Sequence, residues 1–132
     1  MKNMCFTLSF VALMLSCNSD EVSVNPEVEP SLVGRWHLVG FETTVMYEFT
    51  DTLRYTIYSA DGTFGGVETA IPNPNSWVWD GDQVVVDLNF GNESRLTPVF
   101  KCEGQVIDWY DSEDQFAGTY FRENFDYSSC TE

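Results

Sequence analysis

The sequence predicts an all-β domain, and three observations carry that expectation. No window holds a sustained helical period of apolar residues. From Ser31 onward, short runs rich in Val, Ile, Tyr, Phe, Trp and Thr alternate between apolar and polar positions. Clusters of Gly, Asn and Asp separate these runs at the spacing of tight turns.

The expected strands follow in order. Trp36 to Thr44 and Val45 to Thr50 come first. Leu53-Arg54-Tyr55-Thr56-Ile57-Tyr58 alternates, and Ala60-Asp61-Gly62-Thr63 is a turn signal behind it. Pro72-Asn73-Pro74-Asn75 forbids regular pairing and reads as an ordered loop or lid. Trp77 to Asp80 follows. Val84, Val86, Leu88 and Phe90 share one face of the next strand, which Gly91-Asn92 closes. Leu96 to Cys102, Gln105 to Tyr110 and Phe116 to Arg122 complete the set, separated by Glu103-Gly104 and by Asp111-Ser112-Glu113-Asp114. About eight short strands so spaced indicate an antiparallel barrel or sandwich. The folded part is about 100 residues, enough for one core and one domain.

The N-terminus reads differently. Lys2 precedes an apolar run from Cys5 to Leu15, and polarity changes abruptly at Asn18. A run of that length suits a secretory h-region of roughly 7–15 residues, not a membrane span of about 20. Its end, Met14-Leu15-Ser16-Cys17, resembles a bacterial lipobox, with Met14 where Leu is usual. The resemblance implies cleavage before Cys17 and a lipid anchor on that residue. Two acyl chains already give stable membrane anchoring. Residues 1–16 are then a lipoprotein signal peptide, 17–30 an acidic tether and 31–132 the β domain. Asn18 to Pro30 holds two prolines, four acids and no aromatic, the composition of an extended linker. Cys17-Asn18-Ser19-Asp20-Glu21 also resembles the acidic signal that sends lipoproteins to the outer face of a Gram-negative outer membrane. A surface-exposed envelope protein is the expectation.

Charge narrows the partners. The chain carries 21 Asp and Glu against six Lys and Arg, one of them Lys2 in the signal. Nucleic-acid binding requires clustered basic residues, so it is not expected. Attachment to anionic headgroups by charge is excluded on the same ground. With Cys5 removed and Cys17 acylated, Cys102 and Cys130 remain as an even pair in an oxidising compartment, where a disulfide is expected.

Two further motifs resemble the lipocalin-like domains of bacterial envelope proteins. Leu32-Val33-Gly34-Arg35-Trp36 places G-x-W at the start of the first strand, and Thr119-Tyr120-Phe121-Arg122 ends the last strand on an arginine. The run from Tyr47-Glu48-Phe49 to Asp61-Gly62-Thr63 fits the same family. The resemblance implies a small up-and-down barrel of about eight strands. It implies that Gly34, Trp36 and Arg122 close the barrel floor, the guanidinium lying over the indole.

Little in the chain points to catalysis, and no cofactor or metal is expected. His37 is the one histidine, and no G-x-S-x-G elbow is present. Asp111, Glu113 and Asp114 lack the spacing of a calcium loop and read as a solvated turn. The aromatics say more: ten Phe, six Tyr and four Trp. Phe49, Tyr55, Ile57, Trp79, Val86, Leu88, Phe100, Val106 and Phe121 are the expected inward set. They form either a filled core, which strand lengths favour, or the lining of a small apolar cavity. A small apolar ligand is the leading functional expectation. The alternatives are a glycan stacked on exposed aromatics such as Trp77 and Trp109, and a structural or protein-interaction role in the envelope.

Overall fold

A computed structural model describes residues 30–132. The expected signal peptide, the anchor at Cys17 and most of the tether lie outside the described residues. The strands are β1 (Gly34–Leu38), β2 (Val45–Phe49), β3 (Leu53–Tyr58), β4 (Asn75–Asp80), β5 (Gln83–Asp87), β6 (Glu93–Lys101), β7 (Val106–Tyr110) and β8 (Phe116–Arg122). They pair in sequence order, all antiparallel, and β8 returns to β1 to close the barrel. Closure satisfies every edge that an open sheet would leave exposed. Of the two architectures the strand spacing allowed, the chain adopts the barrel.

Four elements differ clearly from their sequence expectation. The fourth strand begins at Asn75, so the last residue of the Pro72–Asn75 segment, expected to forbid pairing, pairs with Arg54. The first strand ends at Leu38, because Gly40 takes φ +92° and Phe41 N donates to Leu38 O in a turn. The fifth ends at Asp87, so Leu88 and Phe90 leave the alternation. There Asn89 N donates to the Asp87 carboxylate, and Asn89 and Phe90 both enter the left-handed region. The sixth begins earlier than expected, at Glu93. Pro98 falls in its middle, at a point where β6 has left β5 (last pair Val84–Leu96) and lies against β7. Pro98 has no β5 partner there, and a residue without an N–H is tolerated where pairing on one side has ended.

Register decides which side chains enter the barrel. Trp36 opposes Tyr47, and Tyr47 opposes Thr56. Phe49 opposes Arg54, Ile107 opposes Tyr120, and Trp77 opposes Val86. The core cluster is accordingly Trp36, Phe49, Trp77, Val84, Val86, Ile107 and Trp109, plugged by Leu32, with Tyr47, Leu96, Phe100 and Tyr120 packed against it.

The opposite face is also covered. Met46 and Ile57 are fully buried although they share the outer face with His37. The long β3–β4 connection crosses that face. Its Phe64 sets an edge on His37, its Gly65 carbonyl accepts from Arg35, and its Ile71 N donates to Thr56 O. The C-terminal segment adds to this outer layer. Tyr127 stacks on Phe121 at 5.3 Å, and Phe121 stacks on His37 at 5.1 Å. Cys130 is disulfide-bonded to Cys102, with Cα atoms 5.8 Å apart, which fastens the segment to the β6–β7 hairpin.

Candidate functional site

The barrel floor is built around Trp36. Its Nε1 donates to Leu32 O at 2.8 Å, which folds the entering segment across the barrel end. The Arg122 guanidinium lies over the indole, its carbon 3.9 Å from the ring centroid. It donates to Val33 O at 2.6 Å and to Ser31 O. Burial pushes the Arg122 pKa below its ordinary value, and the guanidinium stays charged at any ordinary pH. Gly34 adopts φ +126°, and a Cβ there would collide with the Arg122 guanidinium. The three residues of the expected floor are therefore in mutual contact. Glycine is required twice over, for conformation and for space.

Above the floor the interior is filled. A residual cavity of about 20 Å³ lies among Phe49, Arg54, Val84, Val86, Ser94, Leu96, Trp109 and Tyr120. That is room for one water-sized occupant, whereas drug-sized ligands occupy about 300–1,000 Å³. Polar groups meet there. Arg54 enters from β3, stacks on Tyr47 at 4.4 Å and donates to Asn75 Oδ1 at 2.8 Å. Its Nε is buried with no acceptor, and so is Nε1 of Trp109. Tyr120 packs between the rings of Tyr47 and Trp109, at 5.6 and 5.3 Å. Burial pushes its phenol well above the usual tyrosine range, so it remains a neutral O–H donor.

A larger concavity lies outside, at the floor end. This groove of about 600 Å³ is lined by Pro30, Ser31, Leu32, Val33, Asp51, Trp77, Trp79, Gly81 and Phe100. Trp77 forms its back wall, anchored by Nε1 donating to Thr50 O at 2.9 Å. Trp79 sets its edge against Trp77 at 6.4 Å and leaves 46% of its surface exposed.

The expected inward set divides accordingly. Phe49 and Val86 line the interior. Phe100 and Trp79 meet in the external groove. Leu88 is exposed beyond the end of β5. Tyr55, Ile57, Val106 and Phe121 point out of the barrel: Tyr55 opposes Glu48, Ile57 opposes Met46, and Val106 opposes Phe121, which opposes His37. Ile57 and Val106 read as core from sequence because they are buried, under the outer layer rather than inside. Trp77 and Trp109 are only 7% and 3% exposed, so neither can offer a face to a sugar.

Arg54 and Trp109 were not legible as interior groups. In the β3 run Tyr55 and Ile57 are the apolar parity and Arg54 and Thr56 the polar one. Both faces of β3 are packed, and pattern alone selects the wrong one. His37 lies between Phe64 and Phe121 with its Nδ1 unpartnered. Asp111 caps its own turn, accepting from Glu113 N and Gln115 N at 2.9 Å each. No family of known proteins, no curated protein and no solved structure matches the chain.

Proposed function

We propose that this chain is an exported envelope lipoprotein, anchored through Cys17 and displayed at the outer surface. Its lipocalin-like barrel takes a small apolar ligand in the floor-end groove rather than in the barrel interior. One observation carries the second part: the interior leaves about 20 Å³, while the groove offers about 600 Å³ beside Trp79 and Phe100. A concavity of this size with aromatic walls is a default candidate for a ligand site. Trp79 supplies a half-exposed indole at its mouth.

Titration of the mature protein with a fluorescent alkyl probe tests this reading. Saturable binding that quenches tryptophan emission is expected, and Trp79→Ala should weaken it at least tenfold. Absence of saturable binding, or binding unchanged in Trp79→Ala, would overturn the groove. The anchor is tested separately. Cys17→Ala should release the protein from the detergent phase and remove the acyl mass; a mature wild-type chain without lipid would refute it.

A second reading rests on the opposite end of the barrel. Val39 and Phe41 follow β1, Tyr58 ends β3, Leu88 and Phe90 follow β5, and Phe116 opens β8, all of them exposed. Such an apolar rim suits contact with a partner protein. Photo-crosslinkers at Phe41 and Phe90 should then outperform one at Val99 on the barrel wall, and equal yields would refute a rim interface.

A further inference from the structure

The cations of this chain are few, and most of them are matched. Among the described residues, Arg35 pairs with Glu48 and Glu123, Arg95 with Asp80 and Glu93, and Lys101 with Asp108. Arg122 has two carbonyls and an indole face. Arg54 pairs with no carboxylate of the described residues. Its partners are a neutral amide oxygen and the face of Tyr47, and its Nε has no acceptor at all. In a chain with 21 acidic residues this is not a shortage of carboxylates. The side chain is half-buried, and its buried Nε is a donor left without the acceptor that an anion would supply.

The second observation is independent of Arg54. Trp109, on β7 across the barrel, is 3% exposed, and its Nε1 also lacks an acceptor. Indole N–H groups ordinarily find a partner when buried. Both orphaned donors belong to side chains lining the same cavity, as do the hydroxyls of Ser94 and Tyr120. Every polar side chain lining the cavity can donate a hydrogen bond, and among the described residues no carboxylate lines it.

We propose that this cavity is a binding site for one compact monovalent anion, either a free halide or the end of a small carboxylate. Arg54 supplies the charge and Trp109 Nε1 a directed donor, with the Tyr120 and Ser94 hydroxyls free to turn toward the same point. The cavity of about 20 Å³ suits one such particle and excludes a bulky anion. The wall beside Arg54 carries the fewest strand pairs. Pairing between β3 and β4 is confined to Leu53–Ser76 and Arg54–Asn75, the shortest seam of the barrel. The site needs neither the lipid anchor nor the external groove.

The test is thermal unfolding of the mature protein in detergent, at fixed ionic strength, with sodium gluconate replaced stepwise by sodium chloride, bromide or formate. A ligand of the folded state at ten times its Kd raises the folded-to-unfolded ratio about elevenfold. A Tm rise of several degrees is expected with at least one compact anion. Trp109→Phe keeps the ring and removes the donor; Arg54→Gln removes the charge. Both should abolish the anion-specific rise, while the surface variant Arg95→Gln keeps it. If Arg54→Gln does not fold, Trp109→Phe alone decides. A response to halide with a bromide anomalous peak beside Arg54 assigns a free ion. A response to formate alone assigns a carboxylate. Equal Tm in all four salts, or a rise that survives Trp109→Phe, would overturn the site and leave a water in the cavity.

Discussion

Replacing Arg122 by alanine removes three contacts at once. The guanidinium stacks on Trp36 at 3.9 Å and donates to Val33 O and Ser31 O. A cation over an indole contributes about 0.5–2 kcal/mol. Each hydrogen bond adds about 1 kcal/mol, held to the lower end because the bonds lie near solvent. Together these give a loss of about 2–4 kcal/mol. For a domain of this size that lowers Tm by roughly 8–32 °C, at about 4–8 °C per kcal/mol. Trp36→Ala should cost about 3–5 kcal/mol, because it empties a fully buried aromatic site and frees the Leu32–Val33 plug. Arg122→Lys should recover less than half, since an ammonium cannot stack flat while bonding two carbonyls. Urea unfolding of the two single variants and the double variant forms the cycle. A coupling energy of about 1 kcal/mol or more is expected, because the residues share one contact. Coupling within about 0.3 kcal/mol of zero would refute the floor as a unit, whatever the single-site losses.

Three further outcomes follow from the packing. Reduction of Cys102–Cys130 should destabilise the fold by about 3–4 kcal/mol, the chain-entropy value for a loop of 28 residues, and alkylation before reduction should label neither cysteine. Ile57→Ala should cost about 2–4 kcal/mol although the side chain points out of the barrel, while Tyr58→Ser one residue on stays within about 0.5 kcal/mol; equal effects would mean the outer layer does not cover Ile57. Burial raises the Asp108 pKa, but hydrogen bonds from Lys101 and Thr119 outweigh it and hold the carboxyl below its ordinary value. A depressed folded pKa stabilises above the unfolded value near 3.9 and is lost as pH falls through the folded one. Asp108→Asn should thus flatten the stability profile below about pH 4, and an unchanged acid limb would contradict this.

Several features of this protein were determined by the sequence alone. Turn residues at regular intervals and period-2 runs specify eight short antiparallel strands, because these signals act over a few neighbouring residues. Gly34, Trp36 and Arg122 were legible because a glycine forced by crowding, a large aromatic and a terminal arginine leave a mark in a short motif. The pairing of Cys102 with Cys130 followed from counting. Tertiary structure decided which face of each strand is the inside. In β3 both parities are buried, Thr56 toward the core beside half-buried Arg54, and Ile57 on the outer face that the β3–β4 connection crosses. Hydrophobic alternation assumes one wet face, and here a strap of loop and the disulfide-fastened C-terminal segment remove it. Phe121 and Val106 were misplaced for the same reason. The division of space between a filled interior and an external groove also belongs to the tertiary level. It depends on strand stagger and on where β4 meets β3, quantities summed over eight strands that no local run encodes.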